Sequence, residues 1–229
     1  MIYRMGTYAQ RNSENLPTSR GWVSFLDMRN ASSYSGSGTT ITDLTGNSNN
    51  GTINGTSVIG GDSSLVLDGS STYISTAISS ALFSGNEASI SIYIKLDLAT
   101  PTNTLKTGLI GYNNNSVSRS HYPYTNGLMY ADTFRTARVE AFSPSASVTR
   151  TNYHQVTITT KGGGDWKMYQ DNFLIKTVSA ESTISILKQS IGLSTPNIYL
   201  DGSFLSSVIY NVELTSSEVA DNLTYNQTI

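Results

Sequence analysis

Acidic residues recur beside turn-forming residues in this chain: Asp68-Gly69 in "LVLDGSSTYIS", Asp171-Asn172 in "MYQDNFLI" and Asp201-Gly202 in "YLDGSFLSSVIYNVELTSSEV". Such aspartates could ligate a metal, act as general acids or bases, or only turn the chain at the end of a strand. Their surroundings favour the turn. Each sits between apolar-rich runs, and a two-residue Asx-type loop between alternating strands is a hairpin signal. Partners for acid–base chemistry are scarce. There are six glutamates, Glu14, Glu87, Glu140, Glu181, Glu213 and Glu218, and two histidines, His121 and His154. The one close Glu/Asp set, Glu218 with Asp221, falls on a predicted helix. His154 lies in a predicted strand, where a structural role is expected. Neither a Gly-x-Ser-x-Gly elbow nor a phosphate-binding loop occurs. No catalytic residue is assigned, and the protein is expected not to be an enzyme.

The elements that would position these residues are strands. Of 229 residues, 38% are hydrophobic and only 13% charged, with 14 tyrosines. This balance suits β-strands joined by polar turns in one sandwich domain. A formal charge of −2 argues against a nucleic-acid surface, which needs clustered Lys and Arg. No apolar run approaches the roughly 20 residues that a membrane span requires. Cysteine is absent, so no disulfide framework or thiolate metal site is available.

In "GWVSFLDM", apolar residues on both faces predict a strand buried on both sides. In "SISIYIKL", Ile90, Ile92, Ile94 and Leu96 share one face. "YHQVTITT", "DWKMYQ" and "FLIKTV" read as consecutive hairpin strands. Thr215 and Glu218 have capping-box spacing, with Leu214 and Val219 at the staple positions, so a helix of one or two turns should start there.

Residues 1–20 lack sustained periodicity and are read as an N-terminal arm, with residues 21–229 as the domain. Tyr3, Arg4, Met5, Tyr8 and Arg11 supply apolar anchors and positive charge for an arm that orders on a partner; a frayed terminus is the alternative. The arm's polar sequence lacks the apolar core of a secretory signal, which suggests a cytoplasmic origin or release without that export route. A binding surface is suggested by "GYNNNSVSRSHYPYTNGLMY", where His121, Tyr122, Tyr124 and Tyr130 lie among Asn and Ser. Aromatic faces with polar neighbours suit sugar or protein recognition. Rim packing is the alternative, favoured more for Tyr130 than for Tyr122 and Tyr124.

Three segments in order resemble the laminin G-like jelly rolls of the concanavalin A-like lectin/glucanase superfamily. They are "SLVLDGSSTYIS", "YHQVTITTKGGGDWKMYQDN" and "IGLSTPNIYLDGSFLSSVIYNVELTSSEV". The opening "WVSFLDMRNASSYSGSGTTITDLTGNSNNGT" is similar to a run frequent in bacteriophage virion proteins with this domain. Asn172 stands where the family has a hairpin glycine, and Tyr153 where it has Trp. The resemblance implies an all-β fold, a two-sheet antiparallel jelly-roll sandwich with a curved groove and a short C-terminal helix. The family's glucanases carry a Glu-x-Asp-x-x-Glu strand motif, which is absent, and retaining hydrolysis needs two carboxyls about 5–5.5 Å apart. Relatives also hold Ca²⁺ through Asp and Asn oxygens, and Asp43, Asn47, Asn49 and Asn50 offer such atoms. An Asx-rich turn needs the same residues and is preferred, so no cofactor and no metal ligand is assigned.

These features imply a structural or adhesive protein at the surface of a phage virion: a capsid decoration, head fibre or tail-associated protein. Capsid or tail proteins would be partners, a cell-surface glycan a ligand, and a homo-oligomer or many-copy assembly the state. The alternative is an extracellular bacterial carbohydrate-binding module; a glycoside hydrolase ranks last.

Overall fold

The computed structural model describes residues 17, 19–83, 87–98, 102–112, 119–131, 140–141, 149–161, 165–179, 189–195 and 197–228. The arm residues Tyr3, Arg4, Met5, Tyr8 and Arg11 lie outside these. Two antiparallel sheets face each other. The first runs β1 (Trp22–Asp27), β17 (Asp201–Tyr210), β6 (Glu87–Leu96), β11 (His154–Lys161), β12 (Asp165–Gln170) and β13 (Phe173–Ser179), with β4 (Leu65–Asp68) also on β17. The second runs β10 (Glu140–Ala141), β9 (Met129–Ala131), β8 (Arg119–His121), β7 (Gly108–Tyr112), β14 (Gln189–Ile191), β5 (Tyr73–Thr76), β3 (Gly51–Asn54) and β2 (Thr40–Ile41). A small hairpin, β15 (Leu193–Thr195) with β16 (Ile198–Tyr199), stands apart from both. The expected β-sandwich is what the chain forms.

Side-chain alternation builds the core. Ile90, Ile92, Ile94 and Leu96 all project inward and are at most 2% exposed, as their period of two predicts. Val156, Ile158, Trp166 and Met168 continue that layer, and Ile53, Ile74, Ile110, Tyr122 and Ile191 meet them from the second sheet. Each such aliphatic side chain contributes about 1.5–3 kcal/mol of burial.

The two sheets differ on their outer faces. Strands β6, β11 and β17 are buried at nearly every position, whereas β3 and β5 alternate buried with partly or fully exposed. The first sheet is therefore a middle layer. Its outer cover is α1 (Ser216–Gln227), about 18 Å long, together with the segment that leads into it. Phe25, Tyr169, Val208 and Tyr210 of the sheet pack there against Leu214, Val219 and Tyr225. Between these apolar residues the outer face carries hydroxyls. Ser89 Oγ meets Thr159 Oγ1 at 2.5 Å, and the Leu214 amide donates to both, at 3.1 and 2.9 Å. The strand hydroxyls thus satisfy backbone groups that burial would otherwise leave unpaired.

Thr215 caps α1 and Glu218 completes the capping box, as the spacing predicts. The helix is 12 residues long, not the expected one or two turns. Its extra length comes from the sheet beneath. Asn222 Oδ1 accepts from Tyr210 Oη at 2.9 Å, and Asn226 Oδ1 accepts from Ser206 Oγ at 2.7 Å. Two arginines flanking β1 grip the two helix ends. Arg20 donates to both carboxylate oxygens of Glu218 at 2.7 Å, in the first turn. Arg29 donates to Asn226 O at 3.1 Å and Asn226 Oδ1 at 2.9 Å, where a cation favours the negative end of the helix dipole. Arg20, which the sequence assigns to the arm, is thereby anchored on the domain.

Asp27 completes the clamp. It is 0% exposed and accepts from Arg29 Nε at 2.9 Å and from the Tyr225 hydroxyl. Removing one partner of a buried pair strands the other. Asp27→Ala should cost about 3–5 kcal/mol in urea denaturation. Tyr225→Phe, which removes one hydrogen bond to a charged group, should cost about 1.5–3 kcal/mol.

Candidate binding face

Among the described residues, no helix lies over the outer face of the second sheet. Thr40 and Thr52 are exposed there, and Asn54, Tyr73 and Ser75 are half-buried. Asn54 Nδ2 donates to Ser75 Oγ at 2.9 Å across the strands. Alternation forces this composition: inward positions take Ile53 and Ile74, and outward ones are left with hydroxyl, amide and aromatic groups.

The β15–β16 hairpin folds onto this face over β7. Two glycines permit the contact. A Cβ on Gly108 would stand 2.1 Å from Ile198 O, and one on Gly111 would stand 2.6 Å from both Leu193 O and Ser194 O. The hairpin carries Tyr199 to 6.2 Å from Tyr73, ring centre to ring centre.

Beyond β7 lies a ring cluster. His121 on β8 and Tyr130 on β9 are register partners on the same face, with centroids 6.5 Å apart. Tyr124 packs edge-on against both, at 5.3 and 5.4 Å. His121 Nδ1 pairs with Thr107 Oγ1 at 2.8 Å, and Asn126 Nδ2 donates to Tyr130 Oη at 2.7 Å. His121 and Tyr130 are 2% and 5% exposed, so Tyr124, half-buried, is the ring that reaches the surface.

Tyr122 has a different place from the one its sequence neighbourhood suggests. It is 0% exposed, its ring belongs to the inter-sheet core, and burial pushes its phenol well above the usual range. Tyr122 is a core residue with no surface for a ligand. Strand parity carries that signal: residues 120 and 122 share one side, and 121 the other.

Asp68, Asp43 and Asp171 act at corners, whereas Asp201, which the sequence places at one, lies in β17 opposite Asp68 and pairs with Lys106 Nζ. The carboxylate of Asp68 accepts from the amides of Ser70, Ser71 and Thr72 and from Ser71 Oγ. Burial alone would raise its pKa; those hydrogen bonds outweigh burial and hold it below the ordinary carboxylate range. Asp43 accepts from the amides of Phe25, Thr45 and Asn49 and from Thr45 Oγ1. Asn47 and Asn49 turn their N–H groups to the carbonyls of Trp22 and Val23. Donors that converge on a carboxylate in this way do not fit a cation, so these residues do not make a calcium cradle. Among the described residues, no three His, Asp or Glu side chains gather as a metal site.

Asp171 holds φ +55° at the β12–β13 turn, accepts the Gln155 amide at 3.0 Å and meets His154 Nδ1 at 2.9 Å. His154 Nε2 faces Thr149 O at 3.1 Å. Desolvation lowers the imidazole pKa, but Asp171 and the Thr149 carbonyl outweigh it, and the net shift is upward. The stabilisation is therefore complete below the ordinary histidine value of 6.5 and lost as pH rises through the raised folded value. NMR titration of His154 should show that raised midpoint, and Asp171→Asn should lower it.

No family model and no curated protein matches the chain. Solved structures do match in fold. The binding domain of botulinum neurotoxin DC in complex with SialylT superposes with a TM-score of 0.67 at 15% identity, over 90% of this chain and 51% of that one. The same domain in complex with rat synaptotagmin II gives 0.66 at 16%, over 90% and 51%. Trypanosoma rangeli sialidase with the inhibitor DANA gives 0.65 at 15%, over 88% and 32%. The chain spans about half of each binding domain and a third of the sialidase. At these identities the likeness is one of fold, a two-sheet β-sandwich.

Proposed function

We propose that this chain is a non-catalytic adhesive domain that binds carbohydrate on the outer face of its second sheet. One observation carries the reading: that face is free of the helix and presents Tyr73, Tyr124 and Tyr199 among Thr, Ser and Asn side chains. Aromatic rings pack on the C–H faces of sugars, and the polar groups satisfy their hydroxyls. Support comes from the botulinum binding domain of the same fold, seen with SialylT and with synaptotagmin II. The sialidase match does not shift the reading to hydrolysis, because Asp43, Asp68 and Asp171 are engaged in turns. On a glycan array, Tyr124→Ala and Tyr73→Ala should each weaken binding about tenfold, the equivalent of about 1.4 kcal/mol. Undiminished binding by both would contradict the assignment of the face.

The setting we propose is the surface of a bacteriophage virion, with the domain displayed in many copies and the arm docked on capsid or tail proteins. The opening segment's resemblance to phage virion proteins supports it, as do Tyr3, Met5 and Tyr8 as anchors. An extracellular bacterial binding module is the second reading. Deleting residues 1–16, which spares Arg20, should abolish particle incorporation and leave the fold intact. Unchanged incorporation would remove the arm's role.

A further inference from the structure

A cavity of about 230 Å³ opens at one end of the sandwich, lined by Leu98, Thr102, Asn103, Lys106 and Asp201. Pockets for drug-sized ligands run to roughly 300–1,000 Å³, so this smaller one suits a single small ring. Backbone pairing builds it. An isolated antiparallel bridge joins Thr107 to Leu200, which sets Lys106 beside Asp201, Nζ to Oδ2 at 2.6 Å.

The lining has a particular chemistry. Asp201 uses Oδ2 for Lys106, leaving Oδ1 as an acceptor. Asn103 uses its carbonyl oxygen for the Leu105 amide at 2.9 Å, leaving its N–H₂ as a donor. Leu98, 51% exposed, gives an apolar wall. Acceptor, donors and apolar wall together match a ring that carries hydroxyls on its edge and C–H groups on its face. The local field bears on charge. Besides Asp201, Asp97 and Asp68 act on Lys106. Three carboxylates around one ammonium disfavour an anion.

We propose that this pocket is a subsite for one neutral sugar or polyol ring, an extension of the carbohydrate reading and resting on it for the ligand class. The subsite is tied to the ring cluster. Buried Thr107, next to Lys106, donates Oγ1 to Thr104 O at 2.8 Å and pairs with His121 Nδ1 beneath Tyr124.

The test is a ¹H–¹⁵N NMR titration of the full chain with D-glucose, D-galactose and N-acetylneuraminic acid in turn. A neutral hexose should shift the amides of Leu98, Asn103, Lys106 and Asp201, and N-acetylneuraminic acid should leave them unmoved. Asp201→Asn should raise the Kd about tenfold. Leu98→Ser, on an exposed side chain outside the fold's core, should raise it several-fold. Silent pocket amides with either hexose, or equal response to N-acetylneuraminic acid, would overturn the subsite. Shifts confined to residues 121–130 would overturn the subsite while leaving the binding face standing. Pocket shifts with no glycan bound on an array would support the subsite and fail the binding face.

Discussion

The buried pair of Asp27 and Arg29 at the C-terminal end of α1 is the interaction on which the arrangement of layers depends. A charge inside a protein is tolerated only when paired and hydrogen-bonded, and this one is engaged on all sides. Asp27 is held by Arg29 and Tyr225, and Arg29 by Asp27 and Asn226. Both partners sit at the end of β1 and both reach the last turn of the helix. Arg20 does the same for the first turn through Glu218, on a more exposed and weaker pair. The helix is thereby fixed across the outer face of the first sheet, and that sheet becomes the molecule's middle layer.

This arrangement determines which surface is available. With α1 and residues 212–214 covering one sheet, the described residues leave the outer face of the other open apart from the hairpin on Gly108 and Gly111. The open face needs polar and aromatic groups because alternation sends its aliphatic residues inward. Sugar recognition asks for that composition. The sheet beneath fixes Tyr73 on β5, and the hairpin seated on Gly108 and Gly111 holds Tyr199 against it. Of the three aspartates, Asp68 is held by the amides of its own turn and Asp171 by the Gln155 amide and His154 at the β12–β13 turn, whereas Asp201 lies in β17 and pairs with Lys106.

Local pattern made much of this legible in the sequence. The period-two run from Ile90 to Leu96, the hairpin at Asp171-Asn172 and the Thr215–Glu218 capping box are each set by near neighbours, and each forms as read. The burial of β1 on both faces was legible for the same reason. Contacts distant in sequence were not. Arg20 with Glu218 and Arg29 with Asn226 are separated by 198 and 197 positions, and no local signal joins them. The helix runs longer than its cap alone implies because Asn222 and Asn226 are held by strand residues. Tyr122 reads as part of a polar aromatic stretch, yet parity sends it to the core. The role of Gly108 and Gly111 was hidden because only the folded hairpin makes a Cβ there impossible.

The central claim is that ligand meets the open face of the second sheet and not the helix-covered side of the first. Hydroxyl-radical footprinting of the protein, free and bound to immobilised glycan, tests it directly, since tyrosine oxidation reports exposure ring by ring. Protection of Tyr73, Tyr124 and Tyr199 on binding, with Trp22 and Tyr153 on the first sheet's side unchanged, is the predicted result. Protection of Tyr153 and the α1 surface, with Tyr73 and Tyr124 unaltered, would contradict it.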